Sequence, residues 1–287
     1  MAIYTLTKID NGYNSYKQII ELYQTHKDTF FDTIDIHLDQ WFGANMAAVL
    51  GGVLDLFIDN MNTINLFIEN SETKNVLMRN GFLSHYGYER VIDDRHSTIE
   101  YLKIKPTDGR FFNSYIIDEF INRSEMPEMT GALKKKIAES IYELFFNAKD
   151  HSGTKFIYTC GQVFPVKNKI EFTIADTGKG FQRVVNDALL TNFTAGQAIK
   201  WAIKDRNTTK NDITGGIGLA ILHEFIKLNK GRLQIISGNG FYEYDEEGER
   251  IHKFPYDFPG SYINVSIRTD DDSSYALKEE IDSNDLF

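Results

Sequence analysis

Glu143-Leu144-Phe145-Phe146-Asn147-Ala148-Lys149-Asp150-His151 is the stretch on which the fold turns. With Ile141, Leu144 and Phe145 as its apolar side, it reads as the end of a helix spanning 131–150. Glu143, Asn147 and His151 are spaced four apart and so share one helix face. Two readings are open: a solvated polar stripe, or a carboxylate, an amide and an imidazole aimed at one ligand.

Downstream, Ile170, Phe172 and Ile174 alternate as a strand does, and the strand runs into Asp176-Thr177-Gly178-Lys179-Gly180. A carboxylate at a strand end can accept a hydrogen bond from an exocyclic amine, and glycines let backbone approach a flat ring. Taken alone, the pattern is equally that of a plain turn. Further on, Gly215-Gly216-Ile217-Gly218-Leu219-Ala220 leads into a helix, with Ala220, Ile221, Phe225 and Leu228 at core spacing. Glycines at a helix start expose N–H groups to an anion, and the helix dipole favours phosphate there. A flexible loop before a helix would look the same.

In this order, helix, strand end and Gly-rich helix start, the three elements resemble the GHKL superfamily of ATPases (gyrase, chaperone, histidine kinase, MutL). Glu143-x-x-x-Asn147-Ala148 is similar to the N box, Asp176 to Gly180 to the G1 box, and Gly216-Ile217-Gly218-Leu219 to the G2 box. Lys230-Gly231-Arg232-Leu233 resembles the stretch after the G2 box, and Gly260-Ser261 the Gly-Thr pair that closes the adenine pocket. The resemblance covers 110–268 and implies an α/β sandwich, one mixed sheet with helices on one face. It implies further that ATP and Mg²⁺ are bound. Asp176 would take the adenine amine, with Ser261 supporting it through water, and Gly178 and Gly180 would shape that turn. Asn147 would hold Mg²⁺, a hard cation that prefers oxygen ligands, with His151 beside it. Gly216, Gly218 and Leu219 would form the phosphate cradle. The segment from about 181 to 214 would be an ATP lid, in which Lys210 is either a terminal-phosphate ligand or a solvated charge. Ala198, Ile199, Trp201, Ala202 and Ile203 form an apolar island within it.

Glu143 narrows the branch. In gyrase-like ATPases and anti-sigma-factor serine kinases a glutamate here acts as general base, whereas two-component histidine kinases usually lack it. Asp150 stands where many of those kinases place a lysine, and Asn147-Ala148-x-x-His151 looks more like the anti-sigma kinases. His85 and His96 sit in polar surroundings and read as surface histidines rather than phosphoacceptors.

A break is expected at Lys105-Pro106-Thr107-Asp108-Gly109. Before it, Thr33–Leu38 and Thr63–Ile68 read as strands, and Met46–Asn60 and Lys74–Asn80 as helices, the second stopped by Gly81. This α/β module, 1–105, resembles a STAS domain. It departs from that family where the phosphorylatable serine belongs, since Ala44 and Asn45 stand there. The domain plan is therefore a STAS-like module (1–105), a GHKL domain (106–269) and an acidic, solvated tail (270–287). Within the second part, the aromatic and acidic run Asn239–Pro259 reads as a long hairpin turning near Glu246-Glu247-Gly248.

Composition bounds the rest. Across 287 residues, 42 % are apolar and 25 % charged, an ordinary globular balance. A net charge of −10 argues against nucleic acid as primary ligand. The single cysteine, Cys160, excludes an internal disulfide or a cysteine metal cluster. Neither a secretion signal nor a bilayer-length apolar run is present, so a soluble, cytoplasmic protein is expected. The functional expectation is a Mg-ATP-binding, slowly hydrolysing switch protein whose lid closure controls a protein partner through the N-terminal module or lid, with a homodimer possible. The alternatives are an anti-sigma-type serine/threonine kinase and a nucleotide-gated binding module without turnover.

Overall fold

The computed structural model of the chain describes residues 2–149, 153–204 and 218–280. Its first sheet grows from the period-2 pattern of β2 (Thr33–Leu38), in which Ile34, Ile36 and Leu38 are buried on one face. Three parallel strands, β1 (Ala2–Leu6), β2 and β3 (Thr63–Ile68), lie in the order β1-β2-β3. The crossovers are α1 (Tyr13–His26) and α2 (Ala47–Asp59). Right-handed connections between strands laid down in sequence order put both helices on the same face. Helix α3 (Ser71–Arg79) follows, capped at its start by the Asn70 side chain, which accepts from Thr73 N, and stopped by Gly81 in the left-handed region at φ +82°.

The second sheet is antiparallel, in the order β4-β5-β6-β8-β7. It comprises β4 (Thr98–Ile104), β5 (Ile157–Phe164), β6 (Lys169–Asp176) and the long hairpin of β7 (Arg232–Asp245) and β8 (Gly248–Arg268). β4 lies before the expected domain break at 105–109 and pairs with β5 beyond it. One face of this sheet carries Phe172, Ile174, Ile235, Ile263 and Val265 and packs with α4 (Gly109–Ile116), α5 (Gly131–Asn147) and α8 (Gly218–Asn229). The opposite face carries Tyr158, Cys160, Ala175, Ile236 and Tyr262, and these share a core with the N-terminal helices. Helix α2 lies against β5 and β6, and α1 against β8. The chain thus stacks helices, antiparallel sheet, helices and parallel sheet, a mixed α/β fold.

Position explains composition. Helix α2 is apolar nearly all round because it is wedged between two sheets. It also carries Gly51 and Gly52 mid-helix, each costing about 1 kcal/mol against Ala. Close approach offsets that cost: a Cβ on Gly51 would stand 2.2 Å from Tyr101 Oη, and one on Gly52 3.3 Å from the Tyr158 ring. Several polar side chains at this seam are paired across it. Tyr158 Oη donates to Asp55 at 2.7 Å, Lys103 pairs with Asp55 at 2.6 Å, and Tyr16 Oη meets Tyr262 Oη at 2.7 Å. The Ala44 N–H donates to Gln162 Oε1 at 2.7 Å and the Cys160 thiol to Ala44 O at 3.1 Å. Burial pushes that thiol up from its ordinary value, which keeps it an unreactive core group.

Two stretches differ from their expected character. The polar segment after Gly178 contains α6 (Gly180–Leu189) and α7 (Ala195–Ile203), the latter opened by a Thr194–Gln197 capping box. Of the apolar island, Ala198, Ile199 and Ile203 are buried. In the expected tail, Tyr275 is buried against Phe225, and its backbone joins Glu128 and Thr130 at the start of α5. His85 and His96 are exposed. Among the described residues no helix is long and apolar enough to cross a membrane.

Adding a methyl group at Gly51 should destabilise the protein by about 1–3 kcal/mol through overpacking against Tyr101. Tyr101→Phe in the same background, which removes the nearest atom, should restore much of the loss. Urea midpoints of the two variants and wild type check this; an unchanged midpoint for Gly51→Ala would refute the close contact.

Candidate functional site

Helix α5 begins at Thr130, whose hydroxyl accepts from Leu133 N at 3.2 Å. Its Leu133, Ile137, Ile141, Leu144 and Phe145 are buried. Turned from that stripe, Glu143 and Asn147 are half-buried, one turn apart. His151, the third member expected on this face, lies outside the described residues, as do Lys210 and Gly216.

Asp176 is the last residue of β6. It shares parity with Phe172 and Ile174, so it belongs to the helix-bearing face. Strand register lays Ser261 of β8 beside it and Ser237 of β7 beside Ser261. The Asp176 carboxylate is 6 % exposed and accepts from Gly178 N at 2.8 Å. Two neighbours hold the turn. Thr177 N donates to Thr154 Oγ1 at 3.3 Å, and Phe181 N donates to Ser237 Oγ at 2.6 Å just after Gly180 opens α6. Gly260 closes this corner. Its φ is +131°, and a Cβ there would lie 2.0 Å from Asp176 O, so only glycine lets β8 run this close to the end of β6.

A second cluster forms where α8 meets α5. The N–H of Gly218, the first residue of α8, donates to Glu143 Oε2 at 2.8 Å. The contact needs glycine, since a Cβ would stand 2.6 Å from that oxygen and 3.0 Å from Ser140 O. Leu219 beside it is buried. A carboxylate on the N-terminus of a 12-residue helix sits in the field that favours anions.

The residues named from sequence therefore fall into two clusters: Glu143 with Gly218 and Leu219, and Asp176 with Gly178, Gly180 and Ser261. Asn147 continues the first along α5. Thr154 and Ser237 support the turn, and the motifs did not point to them. Ser237 lies in β7, and only pairing through β8 brings it into the row of Asp176; Thr154 carries no local signal at all.

The chain matches no protein-family profile and no curated protein sequence.

Gly260→Ala should be among the most damaging single changes in the chain. Backbone strain at φ +131° and overlap with Asp176 together predict a loss of roughly 2–4 kcal/mol. Thermal and urea unfolding measure it, and a loss below about 0.5 kcal/mol, the scale of an ordinary surface change, would mean that the β6–β8 corner is looser than described.

Proposed function

We propose that the protein binds Mg-ATP at this corner of the antiparallel sheet and works as a nucleotide switch of the GHKL type. The observation that carries the reading is the Glu143 carboxylate on the Gly218 N–H at the start of α8. It joins the candidate N box to the candidate G2 box at a helix start that accepts an anionic group, and a phosphate received there would take over the Gly218 N–H and release the carboxylate toward the attacking water. The donor set fits the ligand in two further respects. Asp176, buried at a strand end, offers a carboxylate to an exocyclic amine, and Asn147, half-buried beside Glu143, offers an amide oxygen of the kind Mg²⁺ prefers. The layer of α4, α5 and α8 on one face of the sheet supports the GHKL-type sandwich, and the parallel β1-β2-β3 unit with α1 and α2 supports the STAS-like reading of the first hundred residues.

In this reading the bound metal screens phosphate charge, and the protein supplies the remainder. Asp176 selects the base. The N-terminus of α8 receives the phosphates, and Glu143 accepts a proton from the attacking water. The N-terminal module is a structural and docking element rather than a phosphoswitch. Ala44 and Asn45, where a STAS serine would stand, are buried, and both the N–H and the carbonyl of Ala44 are hydrogen-bonded to the seam. Its partner would be a protein.

Calorimetry with Mg-ATP tests the site. Asp176→Asn should weaken binding about ten- to a hundredfold, the ~1.5–3 kcal/mol of a hydrogen bond to a charged acceptor. No binding by wild type, or equal affinity in the variant, overturns the proposal.

Turnover is separable from binding. Glu143→Gln keeps an oxygen for the Gly218 N–H but cannot take a proton, so ATP binding should persist while phosphate release falls by about 10²-fold or more. Wild-type turnover in this variant would remove Glu143 as general base. Label from γ-labelled ATP appearing on a protein serine, rather than as free phosphate, would favour the kinase alternative.

A further inference from the structure

The two glycines of α2 face different targets. Gly51 lies against Tyr101 of β4, whereas Gly52 lies against Tyr158 of β5 and against Thr177, whose Cγ2 would be 3.2 Å from a Cβ at position 52. Thr177 directly follows Asp176 and precedes Gly178, whose N–H binds the Asp176 carboxylate. The Thr177 backbone is held on another side by the Thr154 hydroxyl. One turn along α2, Asp55 is gripped by Tyr158 and Lys103, so the helix cannot slide at this level without breaking an ion pair and a hydrogen bond. The turn that carries Asp176 is therefore backed by a helix of the N-terminal half, so closely that any Cβ at position 52 would have to push its neighbours aside.

We infer that α2 is a positioning element of the nucleotide site: Gly52, acting through Thr177, sets the Asp176 carboxylate, and the N-terminal module and nucleotide affinity are thereby coupled. The inference rests on the Mg-ATP reading above. A protein that binds the module and shifts α2 would change nucleotide affinity, and nucleotide would change that protein's affinity by the same factor. The part of this contact that reaches Asp176 is the Thr177 methyl, so it should be open to partial steric repair, with the Tyr158 ring still against position 52.

The test is calorimetric titration of the full chain with Mg-ATP in four forms: wild type, Gly52→Ala, Thr177→Ser and the double variant. Absence of wild-type binding would sink the nucleotide reading itself and is thus distinguishable from failure of the coupling. With wild-type binding in hand, Gly52→Ala should weaken ATP by roughly threefold or more, a coupling of the size contacting residues show. This loss would occur although Ala is the better helix former. Thr177→Ser keeps the hydroxyl and deletes the methyl, so the double variant should regain a measurable part of the affinity lost in Gly52→Ala, the crowding against Tyr158 remaining. A purely structural role would move unfolding midpoints without this recovery. Hydrogen exchange on the wild-type chain needs no variant: Mg-ATP should slow exchange in α2 as well as in 176–180. Unchanged affinity in Gly52→Ala, no recovery in the double variant, or protection at 176–180 without any in α2 would each overturn the inference.

Discussion

The burial of the antiparallel sheet on both faces is the constraint from which the rest follows. A sheet with helices on one side can leave the other to solvent, with alternating apolar and polar residues. Here the second face carries Tyr158, Cys160, Ala175, Ile236 and Tyr262, which only a second apolar layer can keep from water. Helices α1 and α2 supply that layer and are themselves covered by the parallel sheet. The core on that face draws residues from both halves of the chain, so the layers stack across the expected break at 105–109.

A seam of this kind needs orientation as well as burial, because apolar contact alone is indifferent to sliding. The polar pairs provide orientation. Asp55 between Tyr158 and Lys103, Tyr16 against Tyr262, and Gln162 under the Ala44 N–H each leave a buried group unsatisfied if the layers shift. Gly51 and Gly52 then set the depth at which α2 sits. Their intrinsic cost in a helix makes sense only in that position.

The candidate site inherits its geometry from the same layers. β6 ends at Asp176, where its pairing with β8 starts at Ser261 next to Gly260, and the turn that follows is braced by Thr154, Ser237 and α2. Glu143 reaches the start of α8 because α5 and α8 lie side by side on the sheet, close enough that residue 218 must be glycine. A corner so confined has few ways to rearrange, which suits a site that distinguishes ligand states by small movements of one bordering element.

Periodicity and turn chemistry were enough to read β2 and β3 to their end residues, the strand that runs into Asp176, the hairpin turn near Gly248, the helix stop at Gly81 and a helix following Gly218. These signals are local: alternation sets a strand, and glycine permits a left-handed stop or an open helix start. The motif residues Glu143, Asn147, Asp176 and Gly218 were legible for the same reason. β1, α1 and β4 went unread. β1 is short and at a sheet edge, α1 carries Tyr13, Tyr16, Ile19, Ile20 and Tyr23 at helical spacing but no cap or glycine stop to announce it, and β4 becomes a strand because β5 pairs with it. The mid-helix glycines look like a defect until Tyr101, Tyr158 and Thr177 are seen pressing on them, and Ser237 and Thr154 reach the Asp176 turn only through strand register and loop closure. Sequence alone thus determined several of the strands and helices and the places where glycines punctuate them. Which faces meet, and what stands behind the turn, was decided by tertiary packing, since those contacts join residues far apart in the chain and no local pattern encodes them.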